Sequence, residues 1–334
     1  MANKTGIKLG VIIDNFHLDV LYGPEGYRER LITIEDVNRP GLQLTGFFDY
    51  FDKERMQLLG LVEISYLEGI FHEKRVGHGG TLDPMATGVL PVFIGRATRA
   101  VEFAEKSDKE YTAGLKLGVV TNTQDISGEI LEEHPVLTDR NQLEEILERF
   151  RGDILQVPPM YSAIKINGKK LYELARKGRE VERPARPVTI KSLEIESEQG
   201  NGLYTIRVRC SKGTYIRTLC HDIGQALGCG GCMSSLRRTM AAGFTLEDAI
   251  PLEQVRAAAD PASLLLPVDC LFAGKPVLVL KSAEAEKKIR NGMTAVLSEL
   301  APGEYRVYGR DREFLALCQA KGGKLTTIKS FFEV

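Results

Sequence analysis

Residues 77–91 read Gly-His-Gly-Gly-Thr-Leu-Asp-Pro-Met-Ala-Thr-Gly-Val-Leu-Pro, and this run constrains the chain more than any other. Three glycines open it, Gly77, Gly79 and Gly80, and a single carboxylate, Asp83, stands between Leu82 and Pro84. Glycine permits tight turns and close approach of another molecule to the backbone. Proline fixes its own φ and disfavours helical backbone at the residue before it. Asp83 is therefore expected on a rigid loop with its carboxylate presented, the setting in which catalytic groups usually lie. A plainer reading competes, and on local physics alone it is the stronger one. Thr81 or Asp83 would cap a helix that begins Pro84-Met85-Ala86.

The chain of 334 residues has room for two or three domains and a sizeable core. Hydrophobic residues at 43% and charged residues at 27% fit an ordinary globular protein. No apolar run approaches the length of a membrane span. The opening Met1-Ala2-Asn3-Lys4-Thr5-Gly6 lacks the hydrophobic core of a signal peptide, so a cytoplasmic protein is expected. A net charge of −1 argues weakly against nucleic-acid binding, but local charge matters more. Between 165 and 191 stand Lys165, Lys169, Lys170, Arg176, Lys177, Arg179, Arg183, Arg186 and Lys191, with few acids. Such a segment suits phosphate contacts or a solvated surface about equally. Among six cysteines only Cys229-Gly-Gly-Cys232 has C-x-x-C spacing. No second pair accompanies it, so free thiols are expected rather than a tetrahedral zinc site.

Along the chain, Gly10 to Phe16 reads as a short strand or helix, Ile32 to Ile34 as a strand, and Arg55 to Glu68 as a helix–strand passage. Asn38-Arg39-Pro40-Gly41 is a turn, and Phe47, Phe48, Tyr50 and Phe51 form an aromatic cluster. Gly88 to Phe103 reads as strand, turn and helix, and Lys109 to Gly118 alternates like a half-buried strand. Thr121 to Gly128 is a turn-rich loop. Thr138 to Phe150 is an amphipathic helix with Leu143, Ile146, Leu147 and Phe150 on one face, capped by Thr138 or Asp139. Lys169 to Gly178 reads as a basic helix, Leu203 to Cys210 as a strand, and a helix follows through Leu227. Val277 to Leu280, Tyr305 to Gly309 and Phe314 to Ala320 read as short strands with turns between them.

Five ordered motifs carry a family resemblance. They are Gly77 to Pro91 with its flanks, the strand around Tyr111, Gln156 to Lys165, Cys210 to Leu219, and Ser234-Ser235-Leu236-Arg237-Arg238-Thr239. Together they resemble the bacterial tRNA pseudouridine-55 synthases of the B family, over about residues 71–334. The resemblance implies an α+β pseudouridine synthase fold with a mixed, largely antiparallel central sheet in residues 71–273. It further implies a small C-terminal β-rich, PUA-like RNA-binding domain at 274–334. The implied activity is isomerisation of uridine to pseudouridine in the T-loop of tRNA, at position 55.

In this family the aspartate of Leu-Asp-Pro is catalytic, which falls on Asp83. Arg217 becomes its ion-pair partner, since a nearby arginine favours the charged carboxylate. Tyr111 would lie against the flipped base and assist proton transfer. His78, Tyr215 and Leu236 fall at positions lining the nucleotide. Each has a plain structural alternative, as a loop histidine, a strand tyrosine, a structural arginine or core. Lys165, Lys169, Lys170 and Arg176 would hold the RNA backbone. The reaction breaks N1–C1′ and rejoins through C5 without redox change, so no cofactor or metal is expected. The expected partner is the tRNA T-arm, with no membrane and no obligate protein partner.

Residues of about 1–70 follow another pattern. Leu18 to Gly23, Ile34 to Leu42, Thr45 to Phe51 and Lys53 to Gly60 resemble the first half of the N-terminal domain of HPr kinase/phosphorylase, an α/β segment. No P-loop, G-x-x-x-x-G-K-[ST], occurs in the chain, so kinase activity is not supported and binding of a phosphocarrier protein is not expected. The Lys-Pro-x-Gly-x-Thr-Ser loop that opens the synthase family is absent; Asn15-Phe16 stands where Lys-Pro is expected. A catalytically impaired tRNA-binding protein is therefore the alternative function.

Overall fold

A computed structural model describes residues 8–10, 12–15, 67–166 and 168–332. The strand expected at 32–34, the turn at 38–41, the aromatic cluster at 47–51 and nearly all of the 55–68 passage lie outside them. Compactness divides the chain into two units. One comprises Met1–Pro84, Leu90–Glu105 and Glu247–Val334, and the other Met85–Val89 and Lys106–Leu246.

The second unit is built on a mixed, largely antiparallel sheet. Its strands are β1 (Ala86–Ile94, of which the first residues belong here), β2 (Lys109–Leu117), β3 (Gly152–Gln156), β4 (Arg186–Gly200), β5 (Leu203–Cys210) and β6 (Gly231–Ala241). They lie in the order β1-β6-β2-β5-β4-β3. Only β1 and β6 run parallel, with Leu236 opposite Ala86 and Arg238 opposite Gly88; the other neighbours are antiparallel. The odd residues of β2 face the core: Ala113, Leu115 and Leu117 are fully buried. Helix α3 (Ile216–Ala226) packs on β6 and buries Ile216, Leu219, Cys220 and Ile223. Each large apolar side chain withdrawn from water contributes about 1.5–3 kcal/mol.

The 15-residue β4 is missing from the sequence reading, and its register explains why. Val188 and Ile190 are buried, then the buried set shifts by one to Leu193 and Ile195. A bulge lies between Ile190 and Ser192 in the pairing with β5. One inserted residue breaks the period-2 pattern by which strands are recognised. Helix α1 (Arg140–Glu148) is as expected: Asp139 accepts from the Gln142 backbone at 2.9 Å and the Gln142 side chain accepts from the Asp139 backbone at 3.0 Å. The basic helix is corrected. Lys169–Lys170 are in a strand paired with Lys165–Ile166, and α2 covers only Leu171–Ala175. Its Leu-Tyr-Glu-Leu-Ala sequence favours helix, but the hairpin pairing takes the residues before it.

In the first unit, Val76–His78 pairs antiparallel with Val92–Ile94. Leu67, Leu90, Val92, Ile94, Leu252 and Val255 form a buried cluster beneath them. Strand Ile12–Asn15 pairs in parallel with Ile250–Pro251. The C-terminal residues form a five-stranded sheet in the order Val277–Val279, Gly303–Tyr308, Phe314–Lys321, Lys324–Ser330, Ala295–Val296. Lys324–Ser330 is an additional strand. It is joined to its neighbour by Gly322-Gly323, with φ of +57° and +68°, the backbone of a tight two-residue hairpin. Among the described residues no helix is long and apolar enough to cross a membrane.

Candidate functional site

Asp83 lies in an irregular loop that ends in a turn, and β1 begins at Ala86. The Pro84-Met85-Ala86 helix does not form, so neither Thr81 nor Asp83 is a helix cap. Three features fix the loop within its own unit. The Gly79 backbone donates to the Pro91 carbonyl at 2.8 Å. A Cβ at Gly79 would meet that of Ala104 at 2.7 Å, so only glycine fits, and Gly80 has a φ of +120°. Leu82 packs against the buried cluster of this unit. The residue before the aspartate is thus anchored while Asp83 itself is half-exposed. His78 closes the preceding short strand opposite Val92 and is likewise half-buried.

Arg217, Tyr215, Tyr111 and Leu236 belong to the second unit. Arg217 is in the first turn of α3 with its side chain 3% exposed, and its guanidinium stands 3.7 Å from Asp125 Oδ2, itself 1% exposed. It also donates to the carbonyls of Thr123 at 3.3 Å and Tyr161 at 3.1 Å. The other oxygen of Asp125 accepts from Thr123 Oγ1 at 2.9 Å and from the Ser127 backbone at 3.0 Å. The 121–128 loop is tied to the same scaffold by Thr218 Oγ1 donating to Gln124 Oε1 at 2.7 Å and Met233 N donating to the Gln124 carbonyl at 3.0 Å. A buried guanidinium persists when its charge and donors are met. Asp125 faces the charge, and in the sequence it stands only as one residue of the turn-rich 121–128 loop.

The start of α3 is held from β3. Gln156, buried, accepts from the Tyr215 backbone N–H at 2.7 Å and donates to the Tyr215 carbonyl at 3.0 Å. Tyr215 itself is half-buried, whereas Leu236 is buried on β6 opposite Ala113 of β2. Tyr111 lies on the core-facing side of β2, opposite Arg238 of β6 and Val208 of β5. Further along α3, burial pushes the Asp222 carboxyl up to about 6 from 3.8 and holds the His221 imidazole below its ordinary value.

The basic residues at 165–176 form a small platform, with Lys170 and Arg176 half-buried. Lys165 and Lys170 are directly opposite in the hairpin, and Lys165 and Lys169 are exposed. Lys170 Nζ donates to Tyr172 Oη at 3.0 Å, and the Arg176 guanidinium lies 5.0 Å from the Tyr172 ring centre. Two lysines facing each other across strands repel. All six cysteines are free; Cys229 and Cys232 are buried, and burial raises the Cys232 thiol to about 11.

Residues 68–216 match the N-terminal domain of the TruB family pseudouridylate synthases, and residues 217–273 match the tRNA pseudouridylate synthase B C-terminal domain. A tRNA pseudouridine synthase B from Francisella philomiragia is 42% identical over 298 residues, covering 84% of this chain and 97% of that protein. The chain belongs to the TruB family. Another relative of that description, from Azoarcus sp. strain BH72, is 47% identical over 258 residues, covering 77% of this chain and 85% of that protein. Two solved structures share the fold. An H/ACA RNP bound to a substrate RNA containing 2′-deoxyuridine matches with a TM-score of 0.61 at 22% identity, over 82% of this chain and 81% of that one. A Cbf5-Nop10-Gar1 complex matches with a TM-score of 0.60 at 24% identity, over 83% and 82%.

The TruB chain carries a second match. Residues 7–102 match the HPr serine kinase N terminus, overlapping the TruB match from 68 to 102. The kinase-like pattern seen in about residues 1–70 is thus real and runs further than expected, into the segment that also carries Asp83.

Proposed function

We propose that this TruB-family chain isomerises uridine to pseudouridine in tRNA, at position 55 of the T-loop, with Asp83 as the reacting carboxylate. The carrying observation is the 42% identity that spans 97% of a tRNA pseudouridine synthase B. The loop of Asp83 supports it, because packing at Gly79 and Leu82 anchors the chain that leads into a half-exposed carboxylate. The target base leaves its stack to react, at a cost of about a few kcal/mol. Asp83 acts as nucleophile or ion stabiliser. Arg217 supplies positive charge to the reaction and Tyr111 assists proton transfer at C5, with His78, Tyr215 and Leu236 lining the nucleotide. Asp125 acts with Arg217 by holding its guanidinium.

Lys165, Lys169, Lys170 and Arg176 hold the RNA backbone, and the folded shape of the T-arm gives selectivity. The exposure of Lys165 and Lys169 favours this role, since a phosphate can reach them. The enzyme works in the cytoplasm without an obligate protein partner. Its functional parts are a kinase-like segment at 1–70, a catalytic domain at 71–273 and a PUA-like RNA-binding domain at 274–334.

A second reading rests on the missing Lys-Pro loop, namely a tRNA-binding protein with impaired catalysis. Incubating T-arm RNA with the chain and with Asp83→Asn separates the two. Product from the unmutated chain and none from Asp83→Asn, at equal RNA binding, supports the enzyme. Binding without product from either supports the second reading.

A further inference from the structure

The motif Leu236-Arg237-Arg238 sends two adjacent arginines to opposite faces of β6, because strand side chains alternate. Arg237 is exposed, whereas Arg238 is 1% exposed and heads the largest fully buried side chains among the described residues. A guanidinium stays charged, so burying it is costly unless its donors are met. Arg238 Nε donates to the Val89 carbonyl at 2.7 Å. Its backbone lies equally close to the same strand. A Cβ at Gly88, where φ is +102°, would come within 2.1 Å of the Arg238 carbonyl oxygen and 2.8 Å of its nitrogen. On its other side Arg238 is directly opposite Tyr111. Residues so paired share a face, with Cβ atoms about 4.5–5.5 Å apart.

One residue therefore grips β1 twice, by side chain and by backbone, and flanks Tyr111. That part of β1 begins at Ala86, directly after Asp83-Pro84-Met85. We infer that Arg238 is a positioning residue for pseudouridine formation, clamping the downstream anchor of the Asp83 loop in register with Tyr111. This rests on the reading of Asp83 as the reacting carboxylate. Displacement of a catalytic group by about 1 Å costs on the order of 10²-fold in rate, so such a clamp acts on turnover rather than on tRNA affinity.

The test uses the full chain with Arg238→Met, which keeps bulk and removes charge, and Arg238→Lys, which keeps charge and one donor. Hydrogen exchange of residues 86–90 and steady-state pseudouridine formation are measured on both. In Arg238→Met the amides are expected to exchange about ten-fold faster as the clamp opens locally. Its kcat should fall about ten-fold or more with KM for tRNA nearly unchanged, and Arg238→Lys should recover part of that loss. Unchanged exchange in folded Arg238→Met, or a loss confined to KM, overturns the inference. If Arg238→Met does not fold, Arg238→Lys decides: wild-type exchange and kcat there overturn it, and a partial loss of both upholds it. An inactive wild type would count against the proposed function, while the exchange data would still decide the clamp.

Discussion

The Arg217–Asp125 pair and the Lys165–Lys170 hairpin are two ways of placing positive charge in one compact unit. The first is almost fully buried, its cation held by a carboxylate and two backbone carbonyls. The second is mostly exposed, with its lysines set against each other across a two-stranded ribbon. A buried charge is held at one position and is intolerant of losing its partner. An exposed one is free to adjust to a flexible phosphate backbone and contributes through screened electrostatics. On the proposed function, the difference separates a group that acts in the reaction from groups that hold its substrate.

Breaking the buried pair tests that separation with the largest effect. Asp125→Asn removes a buried carboxylate that faces the Arg217 guanidinium and is expected to cost about 3 kcal/mol of stability, read by denaturant unfolding. Activity per folded molecule should fall on the order of 10²-fold, by analogy with loss of a preorganised electrostatic group. A fall of less than two-fold in both would show that the pair is dispensable. The exposed ribbon should respond differently. Lys165→Ala with Lys169→Ala is expected to raise KM for tRNA, leave kcat and melting temperature unchanged, and reduce the salt slope of binding by about 1 per lysine. A loss of kcat there would erase the distinction.

The smallest effect concerns Asp222 on the helix that carries Arg217. Its folded carboxyl titrates near 6 and its unfolded one near 3.8. The folded state therefore keeps a proton that the unfolded state releases, and stability falls as pH rises from about 4 to 6, then levels. Asp222→Asn should remove that slope. It should stabilise the protein at pH 7 by about 1 kcal/mol, less than the full shift because the group is partly exposed, and change nothing near pH 3.5. Thermal melts at the two pH values check it; a gain at the lower pH alone would reverse the sign.

How much of this was legible in the sequence depended on whether a residue's role is local. The Asp83 loop was read against its local signals, which favour a helix cap, and only from the family motif around it. The N-cap of α1 was readable because Asp139 and Gln142 lie three residues apart. Asp125 was not: its bond to the Ser127 backbone is an ordinary Asp turn, and its partner Arg217 is distant in sequence. Strand β4 was hidden by a bulge that shifts its buried set by one residue. Arg238 sat in plain view within a family motif, yet nothing in the order Leu-Arg-Arg tells which arginine is buried until β6 is paired with β1 and β2.

The comparison of buried and exposed charge matters only if the chain carries out the reaction despite its kinase-like opening. The most direct measurement is position-specific mapping of pseudouridine in an unmodified tRNA transcript after incubation with the full chain. Conversion of uridine 55 approaching one equivalent per tRNA, abolished in Asp83→Asn, is the expected result. A transcript that is bound but keeps its uridine at position 55 would contradict it.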